Sequence, residues 1–290
     1  MNSPRSILVT GASSYVGARV YADIQAPFSQ RGISVIGTFC SNQLFPALIH
    51  LDLSDPYATK KLVKELTPEW IVHVAAIPNQ AGCDKDQAYA QQVNIEGART
   101  LVEVANAIAA KIIFISSESA YEETLYGKLK GAGEEIIKNT RSGHVILQPA
   151  MIFGLSPNTT NDRPYNRLLR AIEKKIPTSF DADLKFYPTW VHHLSEVVQA
   201  VIERDIRNET IAVVGDRLSS RYEMATHVLQ PFGIEVQEDH SNNPGSGAPL
   251  TQESLIRLGL PCYSTDMVIE QVVKETIEHL SRERHAPRGS

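Results

Sequence analysis

The chain has 290 residues, 42% of them hydrophobic and 21% charged, which suits one compact two-lobed globular unit and excludes disordered and collagen-like classes. A net charge of -5 offers no general attraction to a phosphate backbone, and no basic run is present, so nucleic acid is not an expected partner. Three scattered cysteines, Cys40, Cys83 and Cys262, fit neither a disulfide framework nor a zinc site, so a reducing cytoplasm and no metal are expected.

The opening MNSPRSILVTGASS lacks the apolar run of a signal peptide, and no stretch approaches the roughly 18 apolar residues of a membrane span. Short β-branched runs follow at ILVT (7–10), ISVIGTF (33–39), ALIHL (47–51), WIVHVAA (70–76), KIIFIS (111–116) and HVILQ (144–148). Helix-length stretches near 15–30, 55–66, 86–109 and 126–139 separate them, long enough for the crossovers that parallel strands require. Strands apolar on both faces imply a sheet covered by helices on both sides. The expectation is an α/β protein with a Rossmann-type doubly wound parallel sheet.

Beyond about 150 the rhythm loosens through SPNTTNDRP (156–164), helices near 165–174 and 194–206, and a strand at IAVVG (211–215). A second polar loop, SNNPGSGAP (241–249), precedes helical segments near 251–258 and 264–280. Residues 1–155, with returning segments near 186–215, read as the dinucleotide-binding domain. Residues 156–185 and 216–280 read as a smaller C-terminal α/β substrate lobe, and 281–290 as a disordered tail.

The first strand leads into TGASSYVG, with Gly11 for a tight turn and Gly17 for close helix packing. A helix N-terminus there presents free N–H groups to a diphosphate, with Ser13, Ser14, Tyr15 and Val16 in the turn. Ser14 departs from the GxxGxxG pattern, although its hydroxyl offers a phosphate donor. In HLDLSD (50–55), Asp52 is placed to accept from an adenine amino group beside Leu53, while Ser54 or Asp55 better suits a helix cap. The second strand ends in TFCSN, with no carboxylate for ribose hydroxyls and only Ser41 and Asn42 as donors. That favours NADP, with NAD as the alternative.

The segment KIIFISSESAYEETLYGKLKGAGEE (111–135) carries the chemistry. Tyr126 and Lys130 stand four apart on a helix, hence on one face, where an ammonium lowers a tyrosine pKa and fits it for acid–base work. Alone, such a pair is more often a solvated face. Ser117, at a strand's C-terminal end, adds a donor where open α/β sheets bind ligands.

In order, TGASSYVG, HLDLSD, WIVHVAA, AYAQQVNIEGARTLVEVA, FISSESAY and YGKLKGAGEE resemble the extended short-chain dehydrogenase/reductases. LQPAMIFG (147–154), FYPTWVHHLSEVVQAVI (186–202) and GDRLSSRYEMATHVL (215–229) look like the nucleotide-sugar branch close to dTDP-4-dehydrorhamnose reductase. The resemblance implies an NAD(P)-dependent reductase of a keto group on a nucleotide sugar or similar polar metabolite. It assigns Ser117, Tyr126 and Lys130 as the catalytic triad, and Asn94 as the holder of the lysine's water relay. It places Ala75 and Ala76 beside the cofactor, and Pro149, Met151 and Ile152 along the nicotinamide.

It also implies a homodimer through 86–109 and 126–139. Two alternatives share these motifs: a non-catalytic NADP-binding regulatory subunit resembling the methionine adenosyltransferase β subunit, and an NAD-retaining epimerase. Ser117 is followed by Glu118 and Ser119, not by the Asp-Glu pair of dehydratases. Only nine positions separate Ser117 from Tyr126, which predicts a more open pocket. Gln148 replaces a common arginine, and His192 and His193 replace two common acids. Arg163, Arg167, Arg217 and Arg221 are candidate substrate contacts.

Overall fold

Six of the chain's β-branched runs are too short to bury both faces alone, and the intervening helices cover them on either side. The computed structural model describes residues 5–240, 245–246 and 249–285. Its chain runs through β1 (Ser6–Thr10), α1 (Tyr15–Ser29), β2 (Ser34–Phe39), β3 (Ile49–His50), α2 (Pro56–Leu66) and β4 (Trp70–His73). Next come α3 (Gln80–Lys85), α4 (Gln87–Gln91), a π-turn over Gln92–Glu96, α5 (Gly97–Ile108) and β5 (Lys111–Ile115). A 3₁₀ turn at Glu118–Tyr121 leads to α6 (Leu125–Ile137), β6 (His144–Pro149) and β7 (Met151–Phe153).

The remainder comprises α7 (Pro164–Lys174), β8 (Thr178–Asp181), β9 (Leu184–Phe186), β10 (Pro188–Trp190), α8 (Val191–Arg204) and β11 (Glu209–Val213). It closes with β12 (Ser219–Ser220), α9 (Arg221–Leu229), β13 (Val236–Asp239), β14 (Gly245–Ser246), α10 (Glu253–Arg257) and α11 (Thr265–His285).

Seven parallel strands form one sheet in the order β11-β6-β5-β4-β1-β2-β3. Side chains alternate between its faces. Ile7 and Val9 pack with Ile24 and Phe28 of α1 and Val197 and Val201 of α8, whereas Leu8 faces Val63 of α2, Leu101 of α5 and Ile137 of α6. The chain builds from β1 toward β3 and then restarts at β4 on the other side of β1. That reversal opens a crevice beyond the C-terminal ends of β1 and β4, the place where doubly wound sheets bind ligands.

The smaller lobe joins β7 with β10, β8 with β13, and β9 with β12 and β14. Its core gathers Phe153, Tyr165, Leu168, Phe186, Met224, Val228 and Val272. Tyr15, from the glycine turn, is buried in that same core.

Several sequence expectations shift. The helix expected over 86–109 is broken by the π-turn, and the strand at 47–51 shortens to Ile49–His50, the Leu48 N–H being turned back to the Phe45 carbonyl at 3.1 Å. Leu255 and Leu260, expected in the smaller lobe, pack in the larger core with Val201 and Ile211. The final helix continues to His285, five residues into the stretch expected to be a tail, while 286–290 lie outside the described residues. Most of the polar loop 241–249 also lies outside them, apart from β14 and Pro249.

Candidate active site

The turn after β1 is built for close approach. Gly11 adopts φ 67°, and a Cβ there would lie 2.8 Å from the Ala75 Cα. At Gly17 a Cβ would meet the Gly11 carbonyl oxygen at 2.1 Å, so only glycine lets α1 pack against the turn. Ser14 needs no glycine: its backbone is extended, and its Oγ caps α1 by accepting from the Gly17 N–H at 3.1 Å. The first-turn amides of Tyr15 and Val16 have no intrahelical carbonyl to bond, and Ser14, Tyr15 and Val16 line a cavity.

Across that cavity of about 260 Å³ stand Ser117, Tyr126 and Lys130, with Pro149, Met151 and Ile152 forming one wall and Ala76 another. The structure thus brings the start of α1 and the serine–tyrosine–lysine set into one space. Thr124 caps α6 by accepting from the Gly127 N–H at 3.1 Å, which fixes where Tyr126 leaves the helix. The Tyr126 N–H donates to Gln80 Oε1 at 2.9 Å. Gly127 sits so close to the 3₁₀ turn that a Cβ would lie 2.3 Å from the Ser119 carbonyl oxygen. The short connection therefore folds back on α6 and lays Glu118 and Ser119 along the cavity wall.

The electrostatics differ from the sequence reading. Burial pushes the Tyr126 phenol up, opposed by its hydrogen bond with Ser117 and by the charge of Arg163. Lys130 Nζ donates to the Ile115 carbonyl at 2.8 Å and lies over the Phe114 ring. Burial lowers Lys130 to about 8, with the Glu134 charge opposing. Glu134 is itself buried, accepting from Ser116 Oγ and from Gln148 Nε2 at 2.9 Å. Gln148 is neutral, and the Glu134 charge is felt by both Lys130 and Lys138.

Asn94 occupies the π-turn, and both ends of its amide hold Ile77: Oδ1 accepts from the N–H at 2.8 Å and Nδ2 donates to the carbonyl at 3.2 Å. It thereby fixes the wall after β4 and does not itself line the cavity. The adenosine-side candidates lie apart from Tyr126. Ser41 and Asn42 are exposed beyond β2, Leu53 is buried against Gly97, and Asp52 Oδ1 accepts from the Ser54 N–H at 2.9 Å. Asp55 caps α2 as its position suggested. Gly11, Ser13, Gly17 and Ala75 shape the turn without reaching the cavity that holds Tyr126.

In the sequence Glu118 stands as the single acid after Ser117, with Ser119 where a second acid would complete a pair. It lines the cavity, is 9% exposed, and one carboxylate oxygen meets no partner among the described residues. Burial, followed by the Glu122 charge, raises it to about 7. Its position directly after Ser117 was the available signal. The two histidines part company: His193 Nε2 meets the Pro261 carbonyl at 2.8 Å, whereas His192 lies 3.0 Å from Asp23 and 3.5 Å from Glu275. Among the described residues no group of three or more His, Cys, Asp or Glu is arranged to hold a metal, and no helix is long and apolar enough to cross a membrane.

Close glycine packing, free helix-start amides and an apolar wall fit a nicotinamide dinucleotide, and the fold is that of the extended short-chain dehydrogenase/reductases. The family model described as RmlD substrate binding domain matches residues 5–257, and the chain belongs to that family. Methionine adenosyltransferase 2 subunit beta of Xenopus tropicalis is 23% identical over 249 residues, covering 79% of this chain and 73% of that protein. The spore coat polysaccharide biosynthesis protein SpsK of Bacillus subtilis is 22% identical over 244 residues, covering 79% and 80%.

Among solved structures, dTDP-4-dehydrorhamnose reductase of Bacillus anthracis in complex with NADP superimposes with a TM-score of 0.80 at 19% identity, covering 94% of this chain and 99% of that one. UDP-glucose 4-epimerase of Thermus thermophilus in complex with NAD gives 0.75 at 18% identity, with the same coverage.

Proposed function

We propose that the protein is an NADP-preferring reductase of a keto group on a nucleotide sugar or similar polar metabolite. The observation that carries this reading is the meeting of Ser117, Tyr126 and Lys130 in one cavity with the capped start of α1. Tyr15 and Val16 amides would hold the diphosphate, Pro149, Met151 and Ile152 would flank the nicotinamide, and Ser41 and Asn42 would meet the adenosine ribose. When bound, a reduced nicotinamide dinucleotide supplies hydride to a carbonyl carbon. Tyr126 gives its phenolic proton to the carbonyl oxygen, which Ser117 also holds as charge develops there. Lys130, once near a phenolate, favours it electrostatically.

NADPH with a panel of dTDP-4-keto sugars and small ketones tests the reading. Turnover is expected, and Tyr126→Phe should lower it by roughly 10²–10⁴-fold, the usual size of a general-acid contribution. Absence of turnover, or equal turnover by the variant, overturns it. Two copies pairing through α4–α5 and α6 belong to the same proposal, checked by light scattering.

A second reading, a nucleotide-binding regulatory subunit, is favoured by the relatives named methionine adenosyltransferase 2 subunit beta and by Ser14 in the glycine turn. Co-purification of a stoichiometric enzyme whose kinetics change on mixing would support it.

A further inference from the structure

Resting on the reductase reading and deepening it, we infer that the carbonyl compound accepted here is small and bears an oxyanion, bound by Arg163 in the cavity that holds Tyr126. Three other arginines of this half of the chain are occupied. Arg167 and Arg170 pair with Asp162 at 2.6 and 2.8 Å, and Arg217 pairs with Glu223 and Asp266 at 2.8 and 2.6 Å. Arg163 lines the cavity, and no carboxylate among the described residues forms an ion pair with it. Its charge reaches Tyr126, where it favours the phenolate.

The arginine is held in place by its backbone. Arg163 is extended (φ -120°, ψ 154°) just before Pro164 at the start of α7, its N–H donates to the Asn161 carbonyl at 3.1 Å, and its carbonyl accepts from the Arg167 N–H at 3.0 Å. The same loop is tied to the dinucleotide turn by Asn158 Nδ2 donating to the Ser13 carbonyl at 2.7 Å and Ser156 Oγ donating to the Tyr15 carbonyl at 2.6 Å. An arginine anchored at its backbone this way and lacking an acid offers a planar guanidinium fork that matches carboxylate or phosphate oxygens. Size sharpens the class. A cavity of about 260 Å³ lies below the roughly 300–1,000 Å³ of common ligand sites, and the nicotinamide must share it. Glu118, on the same wall as Ser117, does not neutralise Arg163: no ion pair joins them.

The test needs no turnover. Thermal-shift titrations of wild type and Arg163→Gln with sodium malonate, inorganic phosphate and inorganic pyrophosphate are run with NADP+ present and ionic strength fixed by sodium chloride. At least one anion should stabilise wild type beyond chloride, with its midpoint concentration raised roughly tenfold or more in Arg163→Gln, the loss expected for a charge-assisted hydrogen bond. Arg163→Lys should recover part of the binding and shows that the position tolerates substitution. A response to malonate identifies a carboxylate, to phosphate a monoester, and to pyrophosphate a diphosphate. No response in wild type, or an equal response in Arg163→Gln, overturns the inference. Failure of the reductase reading is seen separately, as loss of NADPH turnover with the Arg163-dependent anion shift intact.

Discussion

Replacing Glu118 by Gln should change how stability depends on pH, and by a calculable amount. The folded protein holds this carboxyl protonated up to about 7, against the usual 4.5, because burial and the Glu122 charge disfavour the anion. Between those two values the unfolded chain has released the proton and the folded chain has not. Unfolded protein then binds fewer protons, so stability falls as pH rises from 4.5 toward 7 and levels off above it. A shift of that size corresponds to about 3 kcal/mol at most, and partial hydration of the cavity reduces it. Glutamine keeps the shape and cannot ionise. Urea denaturation of both proteins from about pH 5 to 8.5 isolates the effect, since Glu275, also raised to about 7, titrates in both. The variant should gain about 1–3 kcal/mol on wild type across that range. A difference that stays constant with pH would refute the argument that Glu118 is buried as the neutral acid.

Other substitutions probe separate links. Ser14→Ala removes the Oγ that caps α1 and should cost about 1 kcal/mol in chemical denaturation, while Ser14→Gly should cost only a few tenths; equal stability of all three would discard the cap. Gly127→Ala drives a Cβ to 2.3 Å from the Ser119 carbonyl, and thermal melts should show a loss of about 1–3 kcal/mol. Glu134→Gln removes the charge that opposes burial at Lys130, so the lysine should lose its proton below about 8. The alkaline limb of any pH–rate profile then moves to lower pH, and an unmoved limb would separate Glu134 from Lys130.

The sheet was legible because its strands are unambiguous: KIIFI is buried along its whole length, and no amphipathic helix reads that way. The glycine turn was legible for a similar reason, since Gly11 and Gly17 sit where a side chain has no room. Direction was not legible. The spacing of Tyr126 and Lys130 placed both on one face of α6, but the lysine reaches 15 residues back to the Ile115 carbonyl, a contact that only the sheet creates. The π-turn escaped notice for the same kind of reason: its Asn94 is held by Ile77, 17 residues away. Glu118 looked like half of an absent pair, and its burial depends on a 3₁₀ turn too short for any periodicity to announce.

The two lobes meet through the very residues that shape the glycine turn, and this bears on how the site holds together. Tyr15 follows the cap of α1, yet its ring is buried among lobe residues such as Phe153 and Leu168, and its hydroxyl donates to the Gly154 carbonyl. Ser156 and Asn158 return two hydrogen bonds to the carbonyls of Tyr15 and Ser13. A shift of the lobe would therefore break three buried or half-buried hydrogen bonds and drag the start of α1 with it, each bond worth about 1 kcal/mol net and more if a partner is stranded. The loop that ends in Arg163 thus keeps a fixed distance from the helix-start amides, while Tyr126 is fixed independently by Thr124 and Gln80.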